Sequence, residues 1–302
     1  MALPVTLISG YLGAGKTTLI NHLLRHAGGL RLMVMVNDFG ELPIDADLIE
    51  SSDGNTITLA NGCICCSIGA DLAGAFIDVL NLDPIPDQLL IEASGVAEPV
   101  RIANMARAER DLELRAIVVL ADVSAVVGQA EDPLIGTAVQ AQLSSADLLL
   151  LNKADLASTE SLSATELWVE KTYSGLRHMR CEMAKISPQI LDAAPSPLDA
   201  SELAPSHSHE DQYIRWSQES QEPLSRADLE GALDALPAGV LRLKGIVTLL
   251  DEAGAWAVQC VGSRWSIKPH SSGTGTRLVA IGLKSQITRE ALDALFDLRR
   301  EQ

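Results

Sequence analysis

Aromatic residues are scarce in this chain of 302 residues. They make up 3% of it, against 47% hydrophobic residues in all, so any core must be built mainly from aliphatic side chains. Basic charge is also short. Lys and Arg total 23 against 40 Asp and Glu, a net charge of −17, which argues against general binding to nucleic acid or to an anionic membrane surface. No apolar run approaches the length needed to span a bilayer. The N-terminal apolar run is short, follows no basic region and leads straight into a glycine-rich loop, so no targeting or anchoring segment is expected. An even set of dispersed cysteines is missing too. There are five, three of them crowded together, a pattern of thiols or metal ligation in a reducing cytoplasm rather than of a disulfide framework.

What is present starts with Val5-Thr6-Leu7-Ile8, which reads as a buried strand. Next come Gly10-Tyr11-Leu12-Gly13-Ala14-Gly15-Lys16-Thr17-Thr18, and then leucines at the spacing of one helix face. Strand, glycine-rich turn and helix start form the context of a phosphate-binding loop, and the spacing Gly10, four residues, Gly15, Lys16, Thr17 fits it. In such a loop the backbone N–H groups point inward at an anion, and the positive end of the next helix adds to the attraction. Lys16 is expected to reach the β- and γ-phosphates and Thr17 to bind Mg2+. Gly10, Gly13, Ala14, Gly15, Lys16, Thr17 and Thr18 are the candidate phosphate contacts.

Further strands are expected at 30–36, 88–92, 116–122 and 147–151, alternating with helical segments; that pattern predicts a mainly parallel sheet covered on both faces. Polar residues after such strands mark ligand chemistry. Asp38 is a candidate for a metal-bound water near the phosphates, with Glu41 a further candidate switch residue. Glu92 is a candidate Mg2+ ligand, Gly95 a candidate sensor of the γ-phosphate, and Glu98 and Pro99 follow on the same loop. Asn152-Lys153-Ala154-Asp155 closes the set. The Asp155 carboxylate can accept two hydrogen bonds from guanine N1 and N2, and the Lys153 stem can cover the base. Two bonds to a charged group favour GTP over ATP by roughly a hundredfold or more.

Between these motifs stands Asn61-Gly62-Cys63-Ile64-Cys65-Cys66. In a regular strand Cys63 and Cys65 share a face; in a regular helix Cys63 and Cys66 do. All three converge only on an irregular turn, which Gly62 makes accessible. Three soft ligands favour Zn2+ or Cu+, with Co2+ a weaker choice, and leave a fourth position open. Buried structural cysteines or a redox pair are the competing readings.

The prolines, small residues and acids of 193–211 read as a linker, with His207 and His209 as candidate metal ligands or simply solvated loop. It separates an expected phosphate-loop domain, 1–192, from a smaller C-terminal domain, 212–302. There the polar stretch around Trp216 reads as no element, and Met179 to Ile186 reads as a last strand of the first domain. Short alternating strands between a helix at 225–236 and one from about 288 to 299 suggest an α+β domain with an antiparallel sheet. Trp256, Trp265 and Cys260 read as core or interface rather than catalytic residues.

With these motifs together, the chain resembles the CobW family of metallochaperone GTPases, relatives of UreG and HypB. The resemblance rests on Gly10–Thr18, Asn37–Glu41, Gly62-Cys63-Ile64-Cys65-Cys66, Glu92-Ala93-Ser94-Gly95, Asn152–Asp155 and Leu243-Lys244-Gly245. It implies metal binding at Cys63, Cys65 and Cys66, service of Glu92 at the Mg2+ site, and GTP hydrolysis coupled to delivery of the metal to a client metalloprotein or pathway enzyme. Two departures stand out. Family members often carry Glu where this chain has Asp38, and many have a long His-rich linker, reduced here to His207 and His209. Slow basal turnover is expected, raised by a homodimer or by the client. Two other classes compete: a GTP-binding metal sensor that delivers nothing, and a small-molecule kinase, against which Asn152–Asp155 argues.

Overall fold

Alternating aliphatic strands and helices build the first part of the chain. The structure, a computed structural model, describes residues 2–37, 56–58, 64–191, 213–250, 252–270 and 274–296. The chain divides into two compact units, Met1–Pro195 and Ser196–Gln302; the expected linker at 193–211 lies outside the described residues.

In the first unit the order is β1 (Leu3–Ser9), α1 (Lys16–Arg25), β2 (Leu32–Asn37), β3 (Thr56–Thr58), α2 (Ile64–Leu80), β4 (Gln88–Ala93) and α3 (Pro99–Ala108). It continues with β5 (Leu112–Asp122), α4 (Val126–Glu131), α5 (Gly136–Ser145), β6 (Leu148–Asn152), α6 (Thr159–Thr172) and β7 (Arg177–Arg180). The sheet order is β3-β2-β4-β1-β5-β6-β7, and every pairing is parallel. The central strands are nearly continuous apolar runs, as a sheet covered on both faces requires; Val5, Leu7, Leu89, Ile91, Leu149 and Leu151 are all fully buried. The chain leaves β1 toward β2 on one side and returns to β5 on the other. Such a reversal opens a crevice at the carboxyl ends of the strands, where this fold class binds ligands. Asp147, buried just before β6, accepts a 2.8 Å hydrogen bond from the Ile117 N–H and ties the edges of β5 and β6.

The second unit runs β8 (Tyr213–Ser220), α7 (Arg226–Asp234), β9 (Val240–Thr248), β10 (Ala255–Val261), β11 (Arg264–His270), β12 (Thr276–Leu283) and α8 (Arg289–Phe296). Its antiparallel sheet has the order β11-β10-β9-β12-β8. Trp216, Leu229, Leu243, Val258, Leu278 and Phe296 share one core, which includes Cys260 and takes Trp256 and Trp265 at its margin. Among the described residues no helix is long and apolar enough to cross a membrane.

Three elements differ from the sequence reading. The polar stretch around Trp216 is the edge strand β8, in which only alternate residues turn inward: Trp216 is buried while Ser217 and Glu219 are exposed. β11 is the opposite edge, where Pro269 is tolerated because an edge strand does not need every N–H. The last strand of the first unit ends at Arg180, not Ile186. Met183 and Ala184 have φ of 49° and 53°, which turn the chain back so that the Lys185 N–H donates to the Glu182 carbonyl at 2.9 Å.

Gly245 pairs with Leu278 across β9 and β12. A Cβ there would overlap the Arg277 carbonyl oxygen and stand 2.9 Å from the Leu278 Cα. Gly245→Ala is therefore expected to destabilise the second unit by about 2–3 kcal/mol, read from urea unfolding followed by tryptophan fluorescence. An unchanged midpoint would show that the sheet opens there without strain.

Candidate functional site

The loop after β1 needs glycine for two different reasons. Gly10, Gly13 and Gly15 have φ of 139°, 77° and 106°, in the left-handed region that strains other residues. At Gly10 a Cβ would also run into the Leu120 carbonyl, and at Gly15 it would meet the Asn152 amide nitrogen at 2.5 Å. At Gly13 nothing stands within 4 Å, so there the backbone conformation alone is the reason. The Ala14 N–H closes the turn on the Tyr11 carbonyl at 3.1 Å. α1 then starts at Lys16 with no side-chain cap. Uncapped N–H groups behind a left-handed glycine form a cradle that fits a phosphate.

At the foot of this loop the Thr17 hydroxyl donates to Glu92 Oε1 at 3.2 Å. Glu92 is buried at the end of β4, where it pairs in register with Ile8 of β1. A hydroxyl and a carboxylate oxygen side by side are a donor set that fits a hard divalent cation. The turn that follows is closed by the Ala97 N–H on the Ser94 carbonyl at 2.9 Å. A Cβ on Gly95 would lie 2.5 Å from Leu12 Cδ2, so this turn rests against the phosphate loop. On its other side, the buried Gln142 of α5 donates from Nε2 to the Gly95 carbonyl at 2.9 Å and the Ala97 carbonyl at 3.4 Å. Glu98 makes an exposed ion pair with Arg101 at 2.8 Å, and Pro99 opens α3.

The third part stands at the end of β6. Asn152 donates from Nδ2 to the Ala14 carbonyl at 2.8 Å, and its Oδ1 accepts from the Ala184 N–H at 2.8 Å and the Cys181 thiol at 3.5 Å. Burial, then the charges of Asp155 and Glu182, push the Cys181 thiol up to about 12, which keeps it a protonated donor. Ile186, beyond the turn, accepts from His22 Nε2 of α1 at 2.7 Å. Burial holds His22 below its ordinary value, against the pull of that hydrogen bond. Lys153 takes the left-handed conformation, φ 61°, and its ammonium reaches Asp122 Oδ2 at 2.8 Å. Asp122 Oδ1 accepts from the Ser124 N–H at 2.9 Å and hydroxyl at 2.7 Å. Asp155 is exposed in a short 3-10 turn, Ala154–Leu156.

The strand order thus collects the loops at 10–18, 92–98 and 152–155 on the carboxyl edge of one sheet. Asp38, Glu41, Cys63, His207 and His209 lie outside the described residues. Cys65 and Cys66 fall within α2, Ile64–Leu80, whose first residues, 64–71, are described by their backbone alone. The irregular turn expected through the three cysteines is corrected to helix at Cys65 and Cys66, while its start at Gly62 and Cys63 lies outside the described residues. The run from Ile64 to Leu80 holds no proline, and Leu72, Phe76 and Val79 fall on one buried helix face, which supports the helix despite Gly69 and Gly74. Consecutive helical residues point about 100° apart. Among the described residues no cluster of three or more His, Cys, Asp and Glu could hold a metal ion.

Sequence reasoning missed Asp122, Gln142 and the turn at Ala184. Asp122 carried the signal used for Glu92, an acid at the end of a buried strand. Gln142 and Ala184 carried none, because their roles depend on loops distant in sequence.

Residues 4–179 match the family model described as CobW/HypB/UreG, nucleotide-binding domain, and residues 213–298 match the cobalamin synthesis protein cobW C-terminal domain. The zinc chaperone CobW of Sinorhizobium sp is 29% identical over 345 residues, 97% of this chain and 97% of that protein. The zinc chaperone YjiA of Escherichia coli strain K12 is 41% identical over 159 residues, 51% of this chain and 50% of that protein. A crystal structure of Zn(II)-bound YjiA GTPase from E. coli is 22% identical at a TM-score of 0.47, covering 99% of this chain and 100% of that one.

The Asp122–Lys153 pair yields a pH test. Burial raises the Asp122 carboxyl, but Lys153 and the two Ser124 donors outweigh it and leave it below its ordinary 3.8. A depressed carboxyl stabilises the fold above 3.8 and loses that contribution as pH falls through its lower folded value. Because the pair is partly exposed, Asp122→Asn is expected to cost at most about 1 kcal/mol at pH 7. That deficit against the native chain should shrink below pH 3.8, as chemical unfolding at both pH values would read. A deficit that persists unchanged in acid would assign the effect to packing.

Proposed function

The chain belongs to the CobW/HypB/UreG family, and from that premise we propose that it is a GTP-hydrolysing metallochaperone. It binds GTP, carries Zn2+ at Cys63, Cys65 and Cys66 once the first turn of α2 opens to bring the three thiolates together, and passes the ion to a client metalloprotein or metal-dependent enzyme. The observation that carries this reading is the Thr17–Glu92 hydrogen bond beneath the glycine loop, 3.2 Å long. It joins a hydroxyl and a carboxylate below a phosphate cradle.

In this account the loop N–H groups and Lys16 hold the phosphates. Gly95 senses the γ-phosphate through its N–H. Asp155 accepts from guanine N1 and N2, and the Lys153 stem covers the base while Asp122 anchors its ammonium at 2.8 Å. Thr17, Glu92 and Asp38 would hold Mg2+, which neutralises charge on the phosphates. Basal turnover is slow and rises when a client or second copy completes the site. The zinc cargo follows from three thiolates and agrees with the names of the relatives; Co2+ is the weaker competitor. A reducing cytoplasm suits such thiols and the buried Cys181 and Cys260, which form no disulfide.

Cargo and nucleotide are coupled because β2 joins the edge strand β3, which leads to the cysteine helix, to β4, which carries Glu92. Coupling is reciprocal. A zinc titration with and without a non-hydrolysable GTP analogue is expected to differ about tenfold or more in affinity, with the effect abolished in Cys65→Ala. Equal zinc affinity in both arms would refute the coupling of cargo to nucleotide.

A further inference from the structure

We propose that Gln142 is a positioning residue for the nucleotide-sensing turn, holding Gly95 against the phosphate loop in the pose that a γ-phosphate requires. The proposal rests on the GTP reading above and deepens it.

Gln142 is 2% exposed and sits on α5 between the buried Val139 and Leu143. Both neighbours belong to the main aliphatic core. A carboxamide there is unfavourable unless its polar atoms are bonded. Its nitrogen donates not to its own helix but to two carbonyls of a distant loop, Gly95 at 2.9 Å and Ala97 at 3.4 Å. Both carbonyls belong to the turn closed by the Ala97 N–H on the Ser94 carbonyl. Gripping a tight turn at two carbonyls fixes the Gly95–Val96 and Ala97–Glu98 peptide planes. The turn then moves only with α5 or by breaking these bonds.

The opposite side of Gly95 is set by Leu12 of the phosphate loop. A Cβ on Gly95 would stand 2.5 Å from Leu12 Cδ2 and 3.0 Å from the Leu12 backbone nitrogen. Glycine is needed because the turn lies hard against the phosphate loop, and Gln142 holds it there from behind. A bond shifts the balance between two nucleotide states only if it is stronger in one of them. With the turn drawn up to the phosphate loop, the bonds to Gln142 favour the triphosphate state. GDP, without a γ-phosphate, is indifferent to them.

The test uses the full chain and compares affinities for a non-hydrolysable GTP analogue and for GDP by fluorescence titration. Gln142→Leu keeps the volume and removes the donor. Its preference for the analogue over GDP is expected to fall about tenfold, the effect of one or two neutral hydrogen bonds, with GDP affinity unchanged. An unchanged or raised preference overturns the proposal. Gln142→Glu gives a readout that packing alone would not move. Its carboxylate faces two carbonyl oxygens and repels them, whereas the protonated acid can donate to one. Burial raises the pKa of such a group. Its analogue affinity is therefore expected to recover toward the native value between pH 8 and about 5.5. If Gln142→Leu does not fold, this pH profile decides, and a profile parallel to the native one overturns the proposal. Failure of the native chain to bind GTP would sink the GTP reading itself. Native GTP binding with an unaltered Gln142→Leu preference sinks only the role of Gln142.

Discussion

The carboxyl edge of the first sheet depends on the amide of Asn152. Its two ends are 2.8 Å from the Ala14 carbonyl and the Ala184 N–H, on loops that neither precede nor follow it directly. β1 and β6 are not neighbours, since β5 runs between them, so the side chain reaches past the end of β5 to the phosphate loop. The reach explains Gly15, whose missing Cβ leaves the space the Asn152 nitrogen fills. Loss of either partner would strand buried polar groups, which is costlier than the modest net worth of the bonds. The phosphate loop and the turn at 152–155, proposed to bind the base, are thereby joined, Cys181 ties the loop after β7 to the same amide, and His22 ties that loop to α1.

Around that joint the site's parts have separate supports. Lys153 is anchored by Asp122, whose other oxygen is occupied by Ser124, while Asp155 stays exposed. Thr17 is held by Glu92. The turn at Gly95 is supported by α5 rather than by the sheet. Two loops are thus tied to the end of the sheet, and the third is held between the phosphate loop and Gln142. The cysteine helix follows the edge strand β3, two strands from β4, in the part of the sheet nearest the sensing side and away from the base.

Much of this was legible in the sequence because it is local. The phosphate loop is contiguous, and the strands 5–9, 88–92 and 116–122 are apolar runs that cannot be exposed. The family match agrees with the resemblance read from the motifs. What escaped was set by tertiary contact. Asn152 was read as part of a base-recognition motif, and the bonds of its amide to Ala14 and Ala184 carried no signal in the sequence. Met183 and Ala184 have no turn chemistry, yet adopt positive φ because Asn152 captures the Ala184 N–H. The two edge strands of the second sheet were hidden by polar residues on their open sides, and the start of α2 by a cysteine pattern that invited an irregular turn.

One amide joins the phosphate loop to the turn proposed to bind the base, so the nucleotide pocket is formed in advance of its ligand. GDP affinity of Asn152→Ala, measured by titration of a fluorescent GDP on the full chain, tests it directly. Three hydrogen bonds of about 1 kcal/mol each predict a loss of about a hundredfold. Affinity equal to that of the native chain would contradict the account, because the two loops would then be holding nucleotide without the side chain said to join them.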